Sequence, residues 1–197
     1  GTLNDSEGNP FKTRAGGTKP LSDLFVETYD YIKNINDKLS DSTITLLANS
    51  VLTFSDLITN RKTDYKFDLE KFTNVNGKTG IYIQYSQVRA KKLIETIDNH
   101  KEEIKELILN KTDKKLLSKL FLFSHYLEQS ALLNEPHHLA NYLYEISNLF
   151  NQFYENEKLT SITDPNQIAS KLYIINLFLT TSHNTMFCLG ILPVDEM

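Results

Sequence analysis

Tyr82, Tyr85 and Arg89 are spaced three and four residues apart in a segment with helical periodicity. Residues with this spacing lie along one face of an α-helix, so two aromatic rings and one guanidinium would form a single stripe. Tyrosine rings and arginine planes are the surfaces on which proteins stack unpaired RNA bases. The same spacing is typical of an amphipathic helix with tyrosines at the rim of its buried face. Both interpretations are compatible with the spacing.

A second segment with chemical potential is residues 8–18, where Lys12 and Arg14 lie between glycines at positions 8, 16 and 17. A loop of this kind can fold over a polyphosphate and neutralise the charge that develops as a phosphoanhydride reacts. Loops of the same composition are also ordinary connectors.

The histidines and the cysteine give weaker evidence of a functional site. His137 and His138 are adjacent, and neighbouring residues on a helix point about 100° apart, so they cannot share a metal ion without other ligands. We therefore predict solvated or capping histidines and no metal site. His183 and Cys188 are five residues apart with no third group to orient the imidazole, and we expect a surface histidine and a core cysteine.

Composition limits the class of protein. The chain has 197 residues, of which 40% are apolar, and it has one cysteine and a formal charge of -4. One cysteine excludes a disulfide framework and suggests a reducing, cytoplasmic compartment. No apolar run reaches the roughly 20 residues of a membrane-spanning helix. The acidic balance argues against bulk electrostatic binding of nucleic acid, and of DNA in particular.

Apolar residues recur with helical period from Leu21 to the C-terminus, and the connections between them are short, which predicts an all-α helical bundle. We expect a short charged helix over residues 102–109 and a longer one that begins at Asp113 as N-cap and continues through Leu127. The last helix is expected to begin at Asp164 and Pro165 and to end before Gly190.

Several blocks resemble the C-terminal part of bacterial-type class I arginyl-tRNA synthetases. Residues 10–18 (PFKTRAGGT) are similar to the family's KMSKS-like loop, and residues 77–85 (GKTGIYIQY) to a stretch at the start of its DALR anticodon-binding domain. Similar blocks occur at residues 56–68, 136–144, 150–154 and 189–197. The loop is not a literal KMSKS, and Lys171 stands where the family usually has arginine, which removes a bidentate donor.

The resemblance implies three regions. Residues 1–20 would be the end of a catalytic domain with the KMSKS-like loop, residues 21–79 a helical connector that contacts the tRNA stem, and residues 80–197 the DALR domain. The HIGH motif and the Rossmann-type core do not occur in this sequence. We therefore expect this chain alone to be inactive and to work with its own N-terminal catalytic domain.

The resemblance also implies site residues and partners. Lys12 and Arg14 would contact the phosphates of ATP, which with Mg is a cofactor of the full-length enzyme and not of this chain alone. The anticodon loop and stem of tRNA(Arg) would be the partner. The expected tRNA-binding residues are Tyr82, Tyr85, Arg89, Tyr154 and Met197. Tyr154 follows two phenylalanines and can also be a core residue, and Met197 can also be a frayed terminus.

Three alternatives remain. Lys114, Lys115 and Lys119 could reach phosphates, or they could form a solvated helix face. The chain could be a helical protein-interaction module without an RNA role, because its charge is acidic and its helices are amphipathic. It could also come from a related class I synthetase that carries the same type of domain.

Overall fold

The computed structural model describes residues 1–4, 8, 20–97, 104, 106–156 and 162–197. Lys12 and Arg14 lie outside these residues. Within them the chain forms eight α-helices and one pair of two-residue strands. The helices are α1 (Leu21–Ile35), α2 (Asp41–Leu57), α3 (Leu69–Phe72), α4 (Gly80–Ile97), α5 (Lys111–Leu120), α6 (Phe123–Leu133), α7 (His137–Asn156) and α8 (Pro165–Cys188), and the strands are β1 (Leu3–Asn4) and β2 (Tyr65–Lys66).

The predicted all-α class is confirmed. Strands β1 and β2 pair in parallel, with Leu3 opposite Tyr65, and contribute one short ladder to an otherwise helical structure in the ranges above. No helix in those ranges is both long and apolar enough to cross a membrane.

The helices enclose two apolar clusters that share α4. The larger cluster joins α4 to α5, α7 and α8, and at its centre the Phe150 and Phe178 rings stack with centroids 4.1 Å apart. The smaller cluster joins α4 to α1, α2 and the C-terminal segment, where Val194 is buried. Because α4 contributes to both clusters, it is the central helix of the structure.

The start of α4 packs directly on the backbone of α2. A Cβ atom at Gly80 would overlap the carbonyl group of Ser50, so only glycine allows this approach. The helix is capped by Thr79, whose hydroxyl accepts a hydrogen bond from the Tyr82 amide at 3.0 Å. These contacts fix the position of the segment that carries Tyr82, Tyr85 and Arg89.

The buried side of α4 carries polar side chains, each of which reaches a different neighbour. Gln84 is fully buried and donates to the Ser50 hydroxyl and to the Leu192 carbonyl, both at 2.7 Å. The Gln84 carbonyl oxygen accepts from the Val194 amide at 3.0 Å. Gln87 donates to Ser182 on α8. Buried polar atoms must be paired, so these bonds fix α4 relative to α2, α8 and the C-terminal segment.

Three details of the predicted helices are wrong. The cap of α5 is Asn110, whose side chain accepts a hydrogen bond from the Asp113 amide at 2.9 Å. Asp113 is the third residue of the helix, and its carboxylate accepts a hydrogen bond from the Asn110 amide. The helix predicted through Leu127 is broken between α5 and α6. Of the helix predicted over residues 102–109, the described residues 104 and 106–109 are not helical. The predicted start of α8, with Asp164 as cap before Pro165, is confirmed.

Asp113 is not an exposed cap because it forms a buried ion pair. Its two carboxylate oxygens accept from the Lys171 ammonium on α8 at 2.8 and 2.7 Å, and the two side chains are 0% and 1% exposed. The ammonium also lies 5.4 Å from the centre of the Phe153 ring. This pair joins α5 to α8 inside the bundle.

Removing one member of this pair should destabilise the chain strongly. Lys171→Met leaves the Asp113 carboxylate buried without its counter-ion, and we expect it to lower the free energy of unfolding by about 3–5 kcal/mol in urea denaturation. The double variant Asp113→Asn with Lys171→Met keeps an acceptor for the Asn110 amide and removes both charges, so it should be more stable than the single variant. A single variant that loses less than about 1 kcal/mol would mean that the pair does not hold the bundle.

Candidate nucleic-acid interface

Helices α4 and α7 run side by side in the same direction and form the surface that carries most of the predicted site. Lys78, just before α4, bonds Asn141, Tyr82 bonds Asn148, and Arg89 bonds Asn151, so partner numbers rise together along the two helices. We call this surface the α4–α7 seam. It is defined by Lys78, Tyr82, Tyr85, Arg89, Asn141, Tyr144, Asn148, Asn151 and Tyr154.

Arg89 is the centre of the seam. Its guanidinium carbon lies 4.2 Å from the centre of the Tyr85 ring and 4.7 Å from that of the Tyr154 ring. One terminal nitrogen donates to the Tyr85 hydroxyl at 2.9 Å, and the other donates to the side-chain oxygen of Asn151 at 3.0 Å. Within the part of the chain that the structure describes, these bonds use two of the five N–H donors of the guanidinium. An RNA base can accept from the others.

The buried side chain of Asn151 fixes the position of Arg89. Asn151 is 5% exposed, and its amide group donates to the Ser86 hydroxyl at 2.8 Å while its oxygen accepts from Arg89. Ser86 and Arg89 belong to α4 and Asn151 to α7, so one side chain sets the register between the two helices. The arginine is therefore positioned before any ligand arrives, which reduces the entropy that binding would cost.

Tyr82 lies further towards the start of α4 on the same face. Its ring is 5.6 Å from the Tyr144 ring with a tilt of 48°, and its hydroxyl donates to Asn148 at 3.4 Å. Burial raises the pKa of the Tyr82 phenol above its ordinary value. The hydroxyl therefore stays protonated at neutral pH and remains a hydrogen-bond donor as well as part of an aromatic surface.

Met197 is brought towards the seam by the C-terminal segment. The bonds from Gln84 hold that segment along α4, and Lys91 adds an ion pair to Asp195 at 2.7 Å. Met197 is half-buried and lines a cavity of about 230 Å³ together with Tyr85, Ile81 and residues of α1. Met197 thus packs against the smaller apolar cluster and lines a cavity with Tyr85.

The predicted residues fall into three groups. Tyr85, Arg89 and Tyr154 are in direct contact, and Tyr82 lies on the same face of α4. Met197 lines the same cavity as Tyr85. Lys12 and Arg14 lie outside the described residues. Tyr154 is half-buried and contacts Arg89, so it is not a core residue like Phe150 and Phe153, which are fully buried.

Sequence reasoning missed Asn151, Tyr144 and Lys78. Asn151 had a detectable signal, because it interrupts the apolar repeat of α7 between Phe150 and Phe153, and a polar residue in such a position needs a partner. Tyr144 and Lys78 had no comparable signal, since their proximity depends on how α4 and α7 pack.

The lysines of α5, Cys188 and His183 are not part of the α4–α7 seam. Lys119 is paired with Glu145 and the Tyr126 hydroxyl, so it is a structural residue, while Lys114 and Lys115 are exposed. Cys188 is exposed, so the prediction of a core cysteine is wrong: α8 turns that side chain outwards in its last turn. His183 is exposed as expected.

Glu135, His137 and His138 form a cluster at the start of α7, with one potential ligand atom of each within 4.8 Å of the others. The two rings lie 4.1 Å apart with a tilt of 35°, so these adjacent side chains do not diverge as expected. Burial, followed by repulsion from His138, lowers the pKa of His137. The Lys62 ammonium lies 3.5 Å from the Glu135 carboxylate, and its positive charge opposes a metal ion there.

Comparison with known proteins identifies the bundle. A profile of the DALR anticodon-binding domain matches residues 83–197, more than half of the chain. The chain belongs to this family. The matched region contains α7, α8, the C-terminal segment and all of α4 except its first three residues, and therefore most of the α4–α7 seam of this DALR domain.

Curated relatives cover a longer range. An arginine–tRNA ligase of Francisella tularensis subsp. novicida (strain U112) is 39% identical in an alignment of 173 residues that covers 83% of this chain and 30% of that protein. An arginine–tRNA ligase of Pseudomonas fluorescens (strain Pf0-1) is 31% identical in an alignment 207 positions long that covers 100% of this chain and 36% of that protein. The chain thus spans about a third of the length of the curated relatives it matches.

Solved structures show the same fold at lower identity. The arginyl-tRNA synthetase of Thermus thermophilus matches with a TM-score of 0.83 at 18% identity, over 100% of this chain and 34% of that one. The arginyl-tRNA synthetase of Plasmodium falciparum matches with a TM-score of 0.76 at 23% identity, over 90% of this chain and 33% of that one.

The role of Asn151 can be tested without RNA. Asn151→Leu keeps the number and branching of the side-chain heavy atoms but removes both hydrogen bonds across α4 and α7, so we expect the free energy of unfolding in urea to fall by about 1–3 kcal/mol. Asn156→Leu on the exposed side of the same helix is the matched control and should change it little. A loss below about 0.5 kcal/mol for Asn151→Leu would show that this side chain does not fix the seam.

Proposed function

We propose that this DALR domain binds the anticodon loop of an arginine tRNA through the α4–α7 seam. The observation that carries the proposal is Arg89, whose guanidinium is held by Asn151 over two tyrosine rings within a domain of an anticodon-binding family. Anticodon bases are unpaired, so their edges and faces are accessible to such a surface.

The seam offers both kinds of contact that an unpaired base requires. The Arg89 N–H groups can donate to acceptors on a base edge, which gives selectivity among bases. The rings of Tyr82, Tyr85 and Tyr154 can stack on base faces, which gives affinity with little sequence preference. Met197, which lines a cavity together with Tyr85, would complete the pocket.

The chain's formal charge of -4 does not oppose this proposal. The cationic groups of the seam are concentrated at Arg89 and Lys78, and recognition of a few loop nucleotides depends on local charge. A small number of phosphate contacts also keeps the affinity moderate, because each contact adds to the salt-dependent part of binding. Moderate affinity suits a protein that must release its RNA after each reaction.

We further propose that the longer protein ligates arginine to its tRNA at the expense of ATP, as the names of the curated relatives indicate for those proteins. In that protein the N-terminal catalytic domain would be the intramolecular partner, and residues 21–79 would contact the tRNA stem. ATP and magnesium would supply the activating chemistry there. On the basis of the family resemblance, Lys12 and Arg14 would face the ATP phosphates. The protein would work in the cytoplasm, where its single cysteine would remain reduced.

The proposal predicts base-specific binding by the chain itself. Fluorescence anisotropy should detect binding of an arginine-tRNA anticodon stem-loop that weakens with salt and weakens further when the central anticodon base is changed. We expect Arg89→Ala and Tyr154→Ala each to reduce affinity about tenfold or more, because a hydrogen bond from a charged donor contributes about 1.5–3 kcal/mol and stacking one base contributes about 1–3 kcal/mol.

Tyr173→Ala is the matched control, since Tyr173 is 40% exposed on α8 and is not part of the seam. Equal affinity for both stem-loops, or no binding at low salt, would overturn the proposal. Those results would favour a module that binds another protein.

A further inference from the structure

The α4–α7 seam continues beyond Tyr82 to a second group of aromatic, cationic and amide side chains. Tyr144 is half-buried on α7, and Lys78 is exposed immediately before α4. The Lys78 ammonium lies 5.4 Å from the centre of the Tyr144 ring and 3.0 Å from the side-chain oxygen of Asn141. This group repeats the combination found around Arg89.

The second group is held in place by the fold. The Asn141 amide nitrogen donates to the His137 carbonyl at 2.7 Å, which leaves its oxygen facing Lys78. Thr79 is 4% exposed and donates to the Asn74 carbonyl at 2.6 Å, so the residue next to Lys78 is fixed. The surface is therefore organised in advance and does not depend on a free lysine side chain alone.

The group around Tyr144 is too far from the group around Arg89 for one base to contact both. Tyr144 and Tyr154 are ten residues apart on α7, which is roughly 15 Å along a helix axis. A single base cannot contact both rings over that distance. Tyr82, whose ring lies 5.6 Å from that of Tyr144, is the bridge between the two groups.

The charge of the second group suits a nucleotide. An ammonium next to a half-exposed ring can take a phosphate while the ring takes the face of a base. The neighbouring acidic residue, Glu145, is paired with Lys119 on the side of α5, so its charge is compensated. Phosphate and base can therefore approach Tyr144 and Lys78 together.

We propose that Lys78, Tyr144 and Asn141 form a second nucleotide subsite, which binds a further unpaired nucleotide of the same RNA loop. Tyr144 stacks on the base, Lys78 contacts the phosphate, and Asn141 holds the ammonium between them. This inference rests on the proposed function of the seam and extends it from one base to at least two nucleotides.

The test uses the whole chain and arginine-tRNA anticodon stem-loops that carry one abasic nucleotide at successive loop positions. We expect Tyr144→Leu to weaken binding of the intact stem-loop about tenfold, while Tyr144→Phe, which keeps the ring, retains the affinity. Lys78→Gln should weaken binding and reduce the slope of log affinity against log salt by roughly 0.7, as expected for one phosphate contact on a single strand.

The abasic series identifies the nucleotide. At one loop position, removal of the base should weaken binding to the wild-type chain but not further weaken binding to Tyr144→Leu, and that position should differ from the one found with Tyr154→Leu. Tyr173→Leu and Lys111→Gln, an exposed lysine at the start of α5, are the matched controls and should behave like wild type.

Two outcomes separate the inference from the proposed function. If Arg89→Ala loses affinity while Tyr144→Leu and Lys78→Gln bind like wild type, the second subsite is wrong and the function of the seam stands. If the wild-type chain fails to bind the stem-loop, the proposed function fails and the subsite fails with it.

Discussion

The structure depends on the requirement that the buried polar side chains of α4 find partners. Gln84 is paired with α2 and the C-terminal segment, Ser86 with α7, and Gln87 with α8. Apolar contacts alone would tolerate a helix that slides or rotates, because they are not directional. Each hydrogen bond forms only when α4 is in one register with its neighbour. Leaving a buried polar group unpaired would lower the stability by about 1–3 kcal/mol. The central helix is therefore fixed against all of its neighbours at once.

The candidate interface is a consequence of that register. The bond between Ser86 and Asn151 aligns α4 with α7, and the same asparagine carries Arg89 to a position over Tyr85 and Tyr154. The bonds of Gln84 bring the C-terminal segment back along α4. The hydrogen bonds on the buried face of α4 thus determine the geometry of its outer face. In our proposal, buried residues that RNA does not reach therefore position the surface that contacts RNA.

Much of this could be predicted from the sequence, because helical periodicity determines which residues share a face. The stripe of Tyr82, Tyr85 and Arg89 follows from a spacing of three and four residues. Periodicity does not determine which helices become neighbours, so the contact between Arg89 and Asn151 was not predicted. It also does not distinguish a cap from a buried ion pair, and Asp113 was assigned the wrong role because its partner Lys171 is 58 residues away. Two predictions, a helix over residues 102–109 and a buried Cys188, failed because local apolar content does not by itself provide a surface to pack against.

In our proposal, Arg89 reads an unpaired base of an arginine-tRNA anticodon. A crystal structure of this chain bound to the anticodon stem-loop tests that claim most directly. It should place the edge of one loop base within about 2.7–3.2 Å of the Arg89 terminal nitrogens, with Asn151 still bonded to the guanidinium. A complex in which the loop bases lie away from the α4–α7 seam, or in which only the stem contacts the chain, would contradict it.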